Sequence, residues 1–324
     1  TFKNNIFDSN KIEINFEQAS NDTYLKAYKF NSDIIENVST LNSYLNYEGI
    51  NDNTFFYTGA EVFEDLTKTK SSDKYEYIIP NFELSKVLSP KNYDGDLIWT
   101  TSGNHKQYDT NVIETTLIND LNYNSYQNFL KNGIVSDYNI LIKNVNTNSK
   151  NSQNYKDHED SNLLALGQYS LSFPLKKTGD LYNKFFTPKI SVRYSPNQTK
   201  NINEADRRID INNIFSLNRI QSDDAIEGGQ SITVSTRYDL KNKENVDIFG
   251  INLATVYRDE ENEDLPIKST LGQKSSNIFG NLNYKPNENL KFDYNFSLDN
   301  SLDRSNYDLF KAEISVNNFI NTFE

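Results

Sequence analysis

The sequence predicts an all-β fold: an antiparallel up-and-down transmembrane β-barrel, present as a partial segment of about fourteen strands from a larger barrel. Three observations predict it. Apolar residues recur at every second position through several long segments. Aromatic residues are abundant in a chain that is polar on average. The connections between segments alternate between short and long.

The period of two is clearest in the second half. Phe186, Pro188, Ile190, Val192 and Tyr194 alternate with Thr187, Lys189, Ser191, Arg193 and Ser195. Ile232, Val234, Thr236, Tyr238 and Leu240 alternate with Ser231, Thr233, Ser235, Arg237 and Asp239. Leu290, Phe292, Tyr294, Phe296 and Leu298 do the same against Lys291, Asp293, Asn295, Ser297 and Asp299. Phe249, Ile251, Leu253 and Tyr257 form another face, as do Phe310, Ala312, Ile314 and Val316. At helical period these sets scatter around the axis; at strand period each falls on one side. In chain order the predicted strands are 11–18, 38–48, 53–65, 77–87, 96–104, 110–123, 136–147, 162–175, 185–195, 230–240, 247–258, 276–285, 290–299 and 306–319. Several reach the ten or so residues that a tilted strand needs to cross a bilayer. A short helix is the expected interruption at 125–135. A half-buried strand of a soluble sandwich would explain any one of these segments; the set of long ones is the barrel's signature.

Hydrophobic residues make up 36% of the 324, and the mean hydropathy is −0.73. Disorder is excluded by 21 Tyr and 20 Phe, too many for a chain that buries no apolar surface. A wall with one face to lipid and one to a polar lumen, ringed by interfacial aromatics, gives such an average. Tyr238, Tyr257, Tyr284, Tyr294 and Trp99 are the girdle candidates. No run approaches 18 apolar residues, so no transmembrane helix is predicted. With neither a signal peptide nor any Met, the sequence reads as a piece of a longer exported precursor. Without Cys there are no disulfides and no thiolate metal sites. The net charge of −12 argues against a nucleic-acid partner, which would need a basic face.

Short connections fall at 49–52, 241–246 and 286–289, and long polar ones at 19–37, 66–76, 148–161, 197–229 and 259–275. Short periplasmic turns and long extracellular loops are the habit of barrels of this kind, which puts 197–229 and 259–275 outside.

Four stretches resemble a known family. They read DTYLKAYKF at 22–30, TPKISVRYSP at 187–196, RIDINNIFSLNRI at 208–220 and EGGQSITVSTRY at 227–238. Together they are similar to the C-terminal barrel of the LptD (organic-solvent-tolerance) proteins, in which a loop of the form LF..NR..G.DR.EGG precedes a strand ending in Arg-Tyr. This chain departs from that pattern at Ala225, where a basic residue is usual, and it lacks the cysteines that some members bridge. The resemblance implies an outer-membrane translocon that inserts lipopolysaccharide (LPS) into the outer leaflet through a polar lumen and a lateral seam. It also implies LPS, membrane lipids, an LptE-like plug lipoprotein and an LptA-like periplasmic bridge protein as partners. Residues 1–324 would form one barrel domain, with the N-terminal jellyroll and C-terminal strands missing. A general porin or ligand-gated transporter is the alternative, sharing every compositional feature.

Lys189, Arg193, Arg237 and Lys291 fall on the lumen register and are the candidate contacts for phosphate or sugar, though polar lumen faces carry charges routinely. Arg207, Arg208, Asp210 and Arg219 form a loop charge cluster that either folds into the lumen on paired charges or stays solvated. Gly228 and Gly229 read as a tight turn or bulge. His105, with Ser102 and Asp109 nearby, is weak ground for catalysis, so no catalytic residues and no cofactor are predicted. The acidic run Asp259 to Asp264 lacks EF-hand spacing and reads as a solvated loop, so no metal site is predicted.

Overall fold

The computed structural model describes residues 6–19, 21–23, 39–88, 94–316 and 319–324. The match at 22–30 lies mostly outside them. The described residues form seventeen strands. In chain order these are β1 Ser9–Asn15, β2 Thr40–Asn51, β3 Thr54–Asp65, β4 Tyr75–Leu88, β5 Gly95–Tyr108, β6 Val112–Ser125, β7 Asn128–Phe129, β8 Val135–Lys150 and β9 Asp160–Ser172. There follow β10 Leu175–Thr178, β11 Tyr182–Ser195, β12 Gly229–Asn242, β13 Asp247–Arg258, β14 Ile278–Asn287, β15 Leu290–Leu298, β16 Ser305–Val316 and β17 Phe319–Phe323. Each of the fourteen predicted segments is a strand; the three additions, β7, β10 and β17, are short.

The helix expected at 125–135 does not form. Asn128 and Phe129 pair instead with Ser136 and Val135, and Gly133 turns the chain with φ of +79°. That left-handed conformation suits glycine and breaks a helix.

Two compact units divide the chain, one of Thr1–Tyr123 with Ile142–Leu163, the other of Asn124–Leu141 with Leu164–Glu324. In the first, β1 to β5 pair antiparallel in sequence order. Its polar anchors are buried. The ammonium of Lys143, 3% exposed, meets Asp120 at 2.7 Å. Glu114 accepts from Tyr108 Oη at 3.0 Å and Asn154 Nδ2 at 3.1 Å, which ties the 151–159 connection to β6.

In the second unit β9 pairs with β11, and β11 to β17 follow as an antiparallel meander. A meander places alternate connections at opposite ends of the strands. Residues 196–228, 259–277 and 299–304 share one end; 243–246 and 288–289 share the other. Long and short connections are thus segregated here, as predicted.

The burial of these strands inverts that of a soluble sheet. Ser191, Arg193 and Ser195 are 1–2% exposed, whereas Ile190, Val192 and Tyr194 are 41–54% exposed. On β12, Ser231 and Thr233 are covered while Ile232 and Val234 are bare. The polar face is covered because the two long connections fold back over it. They bring an apolar cluster of their own: Ile209, Ile214, Ile220, Ala225, Leu265 and Leu271 pack on Ala254, Val256 and Phe279 of β13 and β14. Ala225, where the sequence departs from the LptD pattern, is 1% exposed in that cluster, so a small apolar side chain suits the place.

Across the bare face runs an aromatic row. Tyr238 lies by Phe249, with ring centroids 6.4 Å apart. Phe249 is the cross-strand partner of Tyr284. Tyr284 stacks on Phe292 at 6.4 Å, and Phe292 on Phe310 at 5.9 Å. Five consecutive strands therefore carry aromatics at one level, the arrangement of an interfacial girdle.

Candidate functional site: an arginine-glutamate latch

The site begins as a register. Cross-strand pairing aligns Gln168 of β9 with Arg193 of β11, Arg193 with Ser231 of β12, and Ser231 with Arg258 of β13. Strand alternation turns all four toward the covered face, forming one polar row at the strand ends nearest the long connections. The connection 196–228 then lowers Arg219 and Glu227 onto the row.

Glu227 is the hub. Arg219 grips it in a two-pronged contact, Nε to Oε2 and Nη2 to Oε1, both 2.6 Å. Arg258 Nη1 donates to Oε1 at 2.5 Å, and Arg193 Nη1 to Oε2 at 3.2 Å. None of the four side chains is more than 3% exposed. Other Nη donors hold the loop backbone and the wall. Arg193 reaches the carbonyls of Ser216 and Leu217 and the Gln168 side chain. Arg219 reaches Thr233, Ser231 and the Ile214 carbonyl. Arg258 reaches the Gly228 carbonyl.

The fork of each guanidinium explains why arginine rather than lysine is used: one group bonds a carboxylate and a carbonyl in the same plane. Burial alone would raise the Glu227 carboxyl. The positive fields of Arg219 and Arg193, then the Arg219 hydrogen bonds and the field of Arg258, outweigh it and hold the group well below the usual carboxylate range. Three guanidinium charges meet one carboxylate, an excess of two positive charges. The Nε atoms of Arg193 and Arg258 are buried without a hydrogen-bond partner.

The two glycines after Glu227 are what let it reach the row. A Cβ on Gly228 would lie 2.3 Å from the Asn197 carbonyl oxygen, and Gly229 has φ of +80°. Close approach and a left-handed turn are thus both required, in line with the predicted tight turn.

The predicted site residues separate into four groups. Arg193 and Arg219 meet in the latch. Arg237 and Lys291 lie at the opposite end of their strands, around a cavity of about 220 Å³ that Lys285, Asp239 and Asp247 also line. There Arg237 pairs with Asp239 at 2.7 Å and Lys291 with Asp293 at 2.8 Å. Lys189 stands over the Phe215 ring at 4.3 Å, under the folded loop. The other loop charges remain at the surface: Arg207 and Arg208 are exposed, and Asp210 caps the backbone N–H groups of Asn212 and Asn213. The loop cluster is therefore divided, Arg219 folded in and the other three solvated.

Glu227, Arg258 and Gln168 escaped the residue-by-residue reading. Glu227 stands in the EGG stretch, and Arg258 closes a strand whose apolar alternation drew attention to Tyr257 instead. Their partnership needs the register.

Compared with known proteins, residues 3–322 match the family model for LptD, LPS transport system D. No curated protein matches the chain.

Proposed function

Because this chain belongs to the LptD family, outer-membrane β-barrel proteins of LPS transport and assembly, we propose that residues 1–324 form one stretch of the barrel wall and that the polar face of the second unit lines the path of the LPS saccharide. The function is transport and assembly of LPS; the family is not one of enzymes. The general-porin alternative explains the wall equally well and the family match not at all.

The observation that carries the path is the inverted wall, polar where the long connections cover it and apolar where it is bare. Lipid stabilises the bare face, and the acyl chains of LPS stay on that side. A hydrated saccharide needs the polar side. Lys189, Arg237 and Lys291 offer it cations, with Arg237 and Lys291 gathered at the mouth bearing the short turns, which is the periplasmic one on this reading. Arg193 serves differently: its Nη donors are spent on the latch, which pins 196–228 against the wall and narrows the route. An LptE-like lipoprotein would fill the lumen and an LptA-like bridge protein would deliver LPS to the periplasmic mouth.

The test is affinity capture of the full-length parent from outer membranes, with a photo-crosslinking side chain placed at 237 or 291. The reading expects a co-purifying lipoprotein and LPS joined covalently at both positions. A heat-modifiable barrel that captures neither would abandon it.

A further inference from the structure

At the other end of the second unit, a cleft of about 640 Å³ opens between the folded connections and β15–β16. Its volume falls within the range of ~300–1,000 Å³ typical of small-molecule sites. Arg208, Asp210, Lys268, Thr270, Asn306 and Tyr307 line it. Tyr307 sits opposite Ser297 in the β15–β16 register, on the face that lines the cleft. The Arg208 guanidinium lies over its ring, 5.7 Å from the centroid.

The charges in the cleft are unequally engaged. Asp206 takes Lys268 at 3.0 Å, and Asp210 is occupied by two backbone N–H groups. Arg208 approaches Asp206 only to 4.0 Å. Among the described residues its guanidinium makes no hydrogen bond, nor do the Tyr307 hydroxyl and the Asn306 amide. One phenol hydroxyl, one amide and one guanidinium thus border a cleft of ligand size with their hydrogen-bonding capacity unspent. An aromatic ring packs on the C–H face of a pyranose, an amide pairs with vicinal hydroxyls, and a guanidinium takes a carboxylate or phosphate on two prongs.

We propose that this cleft is a saccharide subsite that takes a pyranose bearing one negative charge, with Tyr307 as its platform and Arg208 as the anion contact. The assignment rests on the transport reading for where such a sugar comes from, but its binding is measured independently. The experiment is calorimetric titration of the full chain in detergent with trigalacturonate, with maltotriose as the neutral control and deacylated LPS saccharide as the family's own cargo.

Trigalacturonate should bind, and maltotriose at least tenfold more weakly. Arg208→Ala and Tyr307→Ala should each weaken trigalacturonate roughly tenfold, about the worth of one charge-assisted or stacking contact. Tyr307→Phe, which keeps the ring, should retain most of the affinity. Deacylated LPS saccharide that binds and responds to the same variants makes the glycolipid the source of the sugar; trigalacturonate alone doing so points to free acidic polysaccharide. Failure of trigalacturonate to bind, or binding unchanged in both alanine variants, overturns the subsite. The transport reading is decided separately, by LPS crosslinked at 237 and 291, so the two can fail independently.

Discussion

At the scale of single residues, Glu227 has the largest consequence. It is the one carboxylate among three buried guanidinium groups, so removing its charge leaves them facing one another. Glu227→Gln should destabilise the docked loop by about 3–5 kcal/mol, the range for breaking a buried pair from one side. Limited proteolysis would show it as new cleavage within 197–226 while the strands stay intact. The pH dependence has a definite sign. The folded-state pKa lies below the ordinary one, so the stabilisation is fully present above the unfolded value near 4.5 and is lost only as pH falls through the lower folded value. Hydrogen exchange of residues 213–228 should therefore show equal protection at pH 7 and pH 5. A loss of protection between those two values would mean that another group governs docking. Gly228→Ala should mimic Glu227→Gln, because its methyl group would sit on the Asn197 carbonyl oxygen.

At the scale of elements, β11 and β12 present chemically opposite faces, and the inversion assigns each face to a solvent. Val234→Arg puts a charge on the bare face of β12 and should cost about 2–4 kcal/mol in a bilayer if the residue sits near mid-depth. Its neighbour Ser235 points the other way, and Ser235→Asn should cost far less. Urea titration of the chain folded into phospholipid vesicles would compare the two. If both cost the same, lipid does not cover that face. The aromatic row from Tyr238 to Phe310 belongs to the same scale, since no single ring defines a level but five adjacent strands do. Glycine acts here as well: the Phe296 ring lies directly over Gly280, its partner on β14, where a Cβ would fall 2.2 Å from a ring carbon.

For the whole molecule, the latch and its apolar cluster hold the long connection over the polar face. The 196–228 connection is anchored at two kinds of site, Glu227 with its arginines and the cluster around Ile214 and Ile220. Replacing 203–224 by a short Gly-Ser linker in the full-length parent should leave the strands folded, by circular dichroism and heat modifiability, while raising outer-membrane permeability to bulky antibiotics. Unchanged permeability would show that the loop does not restrict the route.

The fold was legible in the sequence because a strand's period of two is a local property. Phe186 to Tyr194 and Leu290 to Leu298 declare their faces within nine residues, and all fourteen segments read this way are strands. Short pairings such as β7 and β10 were not legible, being two and four residues long and set by their neighbours. The candidate site was legible only in part. Alternation alone put Arg193, Arg237 and Lys291 on the polar face, but whether each is free or committed depends on what folds over it. Arg193 lies beneath the long connection and is consumed by the latch, whereas Arg237 and Lys291 lie beyond its reach. Residues as distant along the chain as Gln168, Arg193 and Arg258 share one row through hydrogen-bond register, a non-local quantity. The sequence by itself determined the strands, their two chemistries and the family resemblance, because each is written in short-range pattern. Only the tertiary structure decided which arginines meet Glu227, since that outcome required a 33-residue connection to close back on its own wall.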